Sequence, residues 1–155
     1  MPAEPRTPRE RLAARQLELP ELPAPLASYQ PLVVSDGLLV TSGVLPRRDG
    51  RIVVGRLGES LTVAQGVEAA QLATLSLLAT LEAGAGGLER VRQLLLLSVF
   101  VRCAPDFSRQ PEVADGASKL LVDVLGPAGT HSRVAVGVAE LPLEACLELQ
   151  LTARI

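Results

Sequence analysis

Apolar positions recur along this chain with two different periods. Between Thr62 and Leu81 the spacing is helical: Val63, Val67, Ala70, Leu75, Leu78 and Leu81 lie on one side, with Glu68 and Gln71 between them. Such a stripe predicts a helix laid against a core. Thr62 and Gln65 have capping-box spacing at its start, and Gly84 is placed to end it. A second helix is predicted over 111–125, with Val113, Ala117, Leu120, Leu121 and Val124 on one side and Gly126-Pro127 as its stop. The other apolar runs are short and bounded by turn residues, which predicts strands at 31–34, 38–42, 51–55, 91–102, 132–138 and 145–155. Asp49-Gly50 supplies a hairpin turn. The element order is therefore β-β-β-α-β-α-β-β. Ahead of it, Thr7 and Pro8 can start a short helix, and Pro20, Pro23 and Pro25 keep the following segment extended. Residues 1–25 read as an arm packed on a single domain of residues 26–155.

In a strand, successive side chains point to opposite faces, so parity assigns each residue a side. In the last strand Leu147, Leu149, Leu151 and Ala153 share one face, and Cys146, Glu148, Gln150 and Thr152 share the other. The apolar face should bury against the two helices. The semi-polar face is either open to water or covered by another subunit. The stretch "THSRVAVGVAELP" poses a similar question. Val134, Val136 and Val138 fall on one face, whereas Arg133 shares the other with Ala135, Gly137 and Ala139. Small neighbours leave volume beside a guanidinium that a ligand could fill. The plainer alternative is an edge-strand arginine paired with a surface acid.

Composition narrows the chemistry. The 155 residues are 48% hydrophobic, enough for one domain with its own core. A net charge of −2 and an aromatic content of 2% provide neither the basic face nor the stacking platforms of a nucleic-acid binder, so no nucleic-acid partner is expected. Fourteen arginines against one lysine, Lys119, make any single arginine less informative. The N-terminus has no apolar signal core, and no run approaches the ~18 residues of a membrane span. Cys103 and Cys146 then read as free thiols in a reducing compartment, and a cytoplasmic protein without a membrane partner is expected. His131 is the only histidine and the cysteines lack ligand spacing, so no metal site is expected. A Ser-His-Asp triad would have to use His131, and nothing marks its partners. The glycines of 84–87 follow a helix, unlike those of a phosphate loop.

Several motifs occur together in a fixed order: Tyr29, with thirteen residues between it and the glycine of "VTSGVLP", then "FVRCAPDF", "SRVAVGVAELP" and "CLELQLTA". In this combination the chain resembles the YjgF/Rid family, also known by an older endoribonuclease L-PSP name, over about residues 26–155. The longer N-terminal arm resembles a divergent branch. The resemblance implies an α+β, chorismate-mutase-like fold, a mixed sheet backed by two helices, and a homotrimer with pockets between subunits. It implies that Arg133 binds a substrate carboxylate, that Glu148 positions water, and that Tyr29, Ser42 and Gly43 lie in the pocket. The family's frequent cysteine corresponds to Ala135 here. The family's asparagine on the second helix corresponds to Asp115 or Ala114, and an aspartate facing the pocket would repel an anionic substrate. The implied chemistry is hydrolysis of 2-imino or enamine acids to 2-keto acids and ammonia, with no cofactor. A trimer that only binds small carboxylates, as sensor or regulator, is the rival expectation.

Overall fold

The structure is a computed structural model that describes residues 7–24 and 27–155. The expectations for Pro25 and for the first six residues of the arm lie outside the described residues. Helix α1 spans Pro8–Ala14; strands β1 and β2 span Leu32–Ser35 and Leu38–Thr41; a small hairpin pairs β3, Arg47–Arg48, with β4, Arg51–Ile52. Helix α2 runs over Val63–Ala85, β5 over Gln93–Arg102, α3 over Gln110–Leu125, β6 over Ser132–Val138 and β7 over Leu147–Arg154. The main sheet has the order β1-β2-β7-β5-β6. Only the β5–β6 pair is parallel, and α3 is its crossover, as a parallel connection requires. Helices α2 and α3 back one face of this mixed sheet, which gives the expected α+β architecture. The short helix expected at Thr7 and Pro8 forms as α1, and the separate two-residue strand β3 extends the predicted order.

The Thr62–Gln65 capping box forms as read, and the Thr7 cap of α1 is also a full capping box, with Glu10. The Thr7 side chain accepts from the Glu10 N–H, and the Thr62 side chain from the Gln65 N–H. Helix α2 nevertheless continues four residues beyond Leu81 and ends at Gly86, whose φ of 77° suits a left-handed cap. Gly84 lies inside the helix for a different reason. A Cβ there would come within 2.6 Å of the Leu32 side chain and 3.0 Å of Leu39, so its role is the close approach of β1 and β2. The buried stripe of α2 also differs from the reading: Ala69, Ala70, Ala73, Leu77 and Leu81 are enclosed, while Val63, Val67 and Leu75 are only partly covered. Small residues carry a weak hydrophobic signal, yet they let α3 approach closely. A Cβ at Gly116 of α3 would lie 2.5 Å from the Val67 carbonyl oxygen. Gly116→Ala should therefore push the helices apart and cost about 1–3 kcal/mol, the usual range for overpacking. A lower urea midpoint with an unchanged m-value would register it.

Strand register fixes what each face of the sheet carries. Toward the helices, cross-strand rows read Leu151–Leu97–Arg133, Leu149–Val99–Ala135 and Leu147–Val101–Gly137. On the open face they read Val33–Val40–Thr152–Leu96, Gln150–Ser98–Val134 and Glu148–Phe100–Val136. The parity of β7 is as expected from Leu147 onward. Cys146 departs from it: it precedes the strand, donates its N–H to the Val53 carbonyl and is fully buried. Burial pushes its thiol pKa up to about 11. The semi-polar character belongs chiefly to β7, with Ser98 of β5 beside it. Val33, Val134 and Val136, exposed at 60, 47 and 44%, make most of the open face apolar.

Candidate functional site

The sequence-predicted residues fall into two clusters on opposite faces of the sheet. The first is built by an irregularity in β2. Val40 pairs with Thr152, but Val44 pairs with Leu149, so four steps on one strand match three on the other. That is a β-bulge. Thr41 holds it together: its buried hydroxyl accepts the Leu151 N–H at 3.0 Å, and its carbonyl accepts from the Gln150 side chain. The Ser42 hydroxyl donates to the Gln30 carbonyl at 2.5 Å, which ties the bulge to the segment carrying Tyr29. Gly43 then lies directly against Glu148. A Cβ there would overlap the carboxyl group, 2.7 Å from its Cδ, so space rather than backbone freedom demands glycine.

Glu148 borders a cavity of about 160 Å³ together with Tyr29, Ser42, Gly43, Val44 and Pro142. Its carboxyl is half-buried, and burial raises its pKa above the ordinary glutamate value. No hydrogen bond or ion pair is made by this side chain among the described residues. The loop bearing Pro142 is fixed by Glu140, whose oxygens accept from Arg56 at 2.7 Å and Arg102 at 3.0 Å. Those bonds, Arg56 first, hold the Glu140 pKa below its usual value. Two features of the cavity escaped the sequence reading. Leu22, Pro23 and Ala24 of the arm form one wall, and Arg47, Ser76 and Thr80 reach the lining from the hairpin and α2. No residue pattern signals either.

The second cluster surrounds Arg133 on β6, the strand at the free edge of the sheet. Arg133 faces α3, and the volume expected beside it is already filled. Its NH1 donates to Asp115 Oδ1 at 2.8 Å and to the Ser118 hydroxyl at 3.1 Å, while NH2 reaches the Pro111 carbonyl at 3.5 Å. Farther along the same face, a Cβ at Gly137 would come within 2.8 Å of Cys103 Sγ and 3.0 Å of the Gln110 amide. Ala135, between them, packs against the core. Of the two residues left open at the asparagine position, Asp115 meets Arg133 and Ala114 is buried in the core. His131, just ahead of β6, has both ring nitrogens engaged. Its Nδ1 lies 2.6 Å from the Gly129 carbonyl, which can only accept, so Nδ1 carries the proton. Nε2, 2.9 Å from Ser118 Oγ, is then free to accept the hydroxyl proton of the neutral pair. No group of three or more metal-ligating side chains occurs among the described residues. Nor is any described helix long and apolar enough to cross a membrane.

Comparison with known proteins agrees with this architecture. Residues 9–155 match the family model described as "YjgF/chorismate_mutase-like, putative endoribonuclease". A Shewanella oneidensis MR-1 structure bearing the same endoribonuclease label superposes with a TM-score of 0.93 at 36% identity, covering 97% of this chain and 100% of that one. Atu1372 from Agrobacterium tumefaciens gives a TM-score of 0.89 at 37% identity, over 96% and 92% of the two chains. Protein TCP17 of Trypanosoma cruzi is 42% identical over 135 residues, 86% of this chain and 84% of that protein. With the fold, the late-strand motif and near full-length relatives in agreement, the chain belongs to the YjgF/chorismate mutase-like family.

Proposed function

We propose that this protein hydrolyses reactive 2-imino acids, and their enamine tautomers, to 2-keto acids and ammonia in a site shared between subunits of a homotrimer. The observation that carries the reading is Glu148: a half-buried carboxyl, without a hydrogen bond or ion pair among the described residues, at the edge of a cavity, seated in the space that the missing side chain of Gly43 leaves for it. As the carboxylate, it takes a proton from water as the water oxygen bonds to the iminium carbon. Glu148 then returns that proton to the carbinolamine nitrogen; the C–N bond breaks with its electron pair on nitrogen, which leaves as ammonia, while the C=O bond of the keto acid forms and the hydroxyl proton passes to water. Burial, which makes this carboxyl hold its proton more readily than an ordinary glutamate does, suits both halves of this exchange. A protonated imine is already electrophilic, so the reaction calls for no cofactor. The Gly43 carbonyl can accept a hydrogen bond from the imine nitrogen. Tyr29 and Ser42 line the chamber, and Arg133 holds the substrate carboxylate.

Arg133 and Glu148 lie on opposite faces of one sheet, so in this reading they meet across subunits. The apolar open face supplies a surface to bury. Sedimentation at low micromolar concentration should give a mass near three chains, and 2-iminobutanoate generated in situ should disappear faster than in buffer. A stable monomer would sink the shared site. Ordinary affinity for 2-ketobutyrate without any rate effect would favour the binder. The endoribonuclease label draws no support from a net charge of −2, nor from a single histidine with both ring nitrogens engaged. RNA cleavage that copurifies with the protein and vanishes in Arg133→Ala would restore it.

A further inference from the structure

The ion pair at Arg133 is incomplete, and both of its members keep unused hydrogen-bonding positions among the described residues. Only NH1 bonds to Asp115, and only through Oδ1. Arg133 Nε and Asp115 Oδ2 make no hydrogen bond among the described residues, and NH2 has only the long contact to Pro111. Neither side chain is sealed: Arg133 is 24% exposed and Asp115 45%. Ser118 holds the pair in place, since its oxygen accepts from NH1 while its proton can go to His131. This edge therefore offers donors for an anion next to an acceptor for a cation.

Which ligands match it follows from their chemistry. A 2-amino or protonated 2-imino acid carries a carboxylate and a cationic nitrogen on adjacent carbons. Arginine pairs with the first through parallel hydrogen bonds, and aspartate accepts N–H bonds from the second. A 2-keto acid presents the same carboxylate, but its carbonyl oxygen would face the Asp115 carboxylate, acceptor against acceptor. A site with a charged acceptor placed for an N–H discriminates strongly against a ligand that lacks one.

We propose that Asp115 and Arg133 together read a zwitterion, the arginine taking the carboxylate and the aspartate the 2-amino or 2-iminium nitrogen, so that the site favours imino and amino acids over keto acids. This rests on the assignment of Arg133 as carboxylate anchor. It adds that Asp115 sets specificity, and that the keto product is repelled from the place its precursor occupied.

The test is calorimetric titration of the full-length protein with L-2-aminobutyrate, a stable analogue of the imine, and with 2-ketobutyrate. Wild type should bind the amino acid at least tenfold more tightly. Asp115→Asn should weaken the amino acid and strengthen the keto acid, so the ratio falls tenfold or more. Asp115→Ala should do the same, with circular dichroism and melting used to verify that both variants are folded. An unchanged ratio in both folded variants, or no binding of either ligand to wild type, overturns the proposal. Arg133→Lys should weaken both ligands, and unchanged affinity for both would remove the anchor on which it rests. Failure of hydrolysis is separable: a wild-type preference for the zwitterion that Asp115→Asn abolishes, without turnover of 2-iminobutanoate, retains the recognition and rejects the enzyme.

Discussion

Glu148→Gln should cut hydrolysis of 2-iminobutanoate by about 10²–10⁴-fold, the usual contribution of a positioned general acid–base group. Glutamine keeps the shape and the place against Gly43 but cannot take a proton from water. Ligand affinity should stay within a few fold, because Arg133 and Asp115 are untouched. Stability should move the other way. Burial raises the folded-state pKa of Glu148, so its contribution to folding is most favourable below the unfolded pKa and is lost as pH rises through the folded value. Above that folded value the ionised carboxylate is a cost that glutamine removes, and there the variant should melt no lower than wild type. The wild-type rate should fall as acid protonates the base, at a pH above the ordinary glutamate range. Stopped-flow rates across pH, with melting curves of both proteins, read all of this. An inactive variant that is also markedly less stable would point to a structural role.

Val136→Asp should give a monomer with no measurable hydrolysis. Val136 is 44% exposed in the single chain, and a surface substitution in an isolated subunit ordinarily changes stability by no more than about 0.5 kcal/mol. Across a subunit interface the same change buries an unpaired carboxylate, which costs several kcal/mol at each copy. Val136 shares its cross-strand row with Phe100 and Glu148, so it lies on the open face that other subunits would cover. Loss of the trimer would separate Arg133 from Glu148 and abolish the site with both residues intact. Val122→Asp, on the exposed side of α3, is the control and should remain trimeric and active. Sedimentation velocity and the imine assay on the same preparations check both. A monomeric Val136→Asp protein with full activity would show that one chain holds the whole site.

Much of the scaffold could be read from the sequence because its determinants are local. Strand alternation placed β6 and placed the residues of β7 from Leu147 onward, and Asp49-Gly50 marked the hairpin. The Thr62–Gln65 box started α2 at the right residue. Its end was misplaced because a glycine required by a neighbouring strand looks, in sequence, like a glycine that ends a helix. The partner of Arg133 was open for a related reason. Alternation reveals which residues share a face, but which turn of α3 lies over that face is decided by packing across the sheet. Asp115 could therefore be named as a concern and not as a contact. The open face was misjudged because one strand was taken to represent it. The valines that dominate it come from β1, β2 and β6. The arm's wall on the cavity had no signal at all, since Leu22, Pro23 and Ala24 are apolar residues in an irregular segment.

The bulge at Ser42-Gly43 acts as a phase shifter. Before it, the odd-numbered residues Leu39 and Thr41 point toward the helices; after it, the even-numbered Val44 packs against the same core. The early motif is thus as much a matter of counting as of chemistry. Gain or loss of one residue between Thr41 and Val44 would leave every side chain chemically intact. It would still invert which of them face the core, take the glycine away from the Glu148 carboxyl, and turn the β3–β4 hairpin with Arg47 away from the cavity. In this segment, chain length is part of the information that specifies the site.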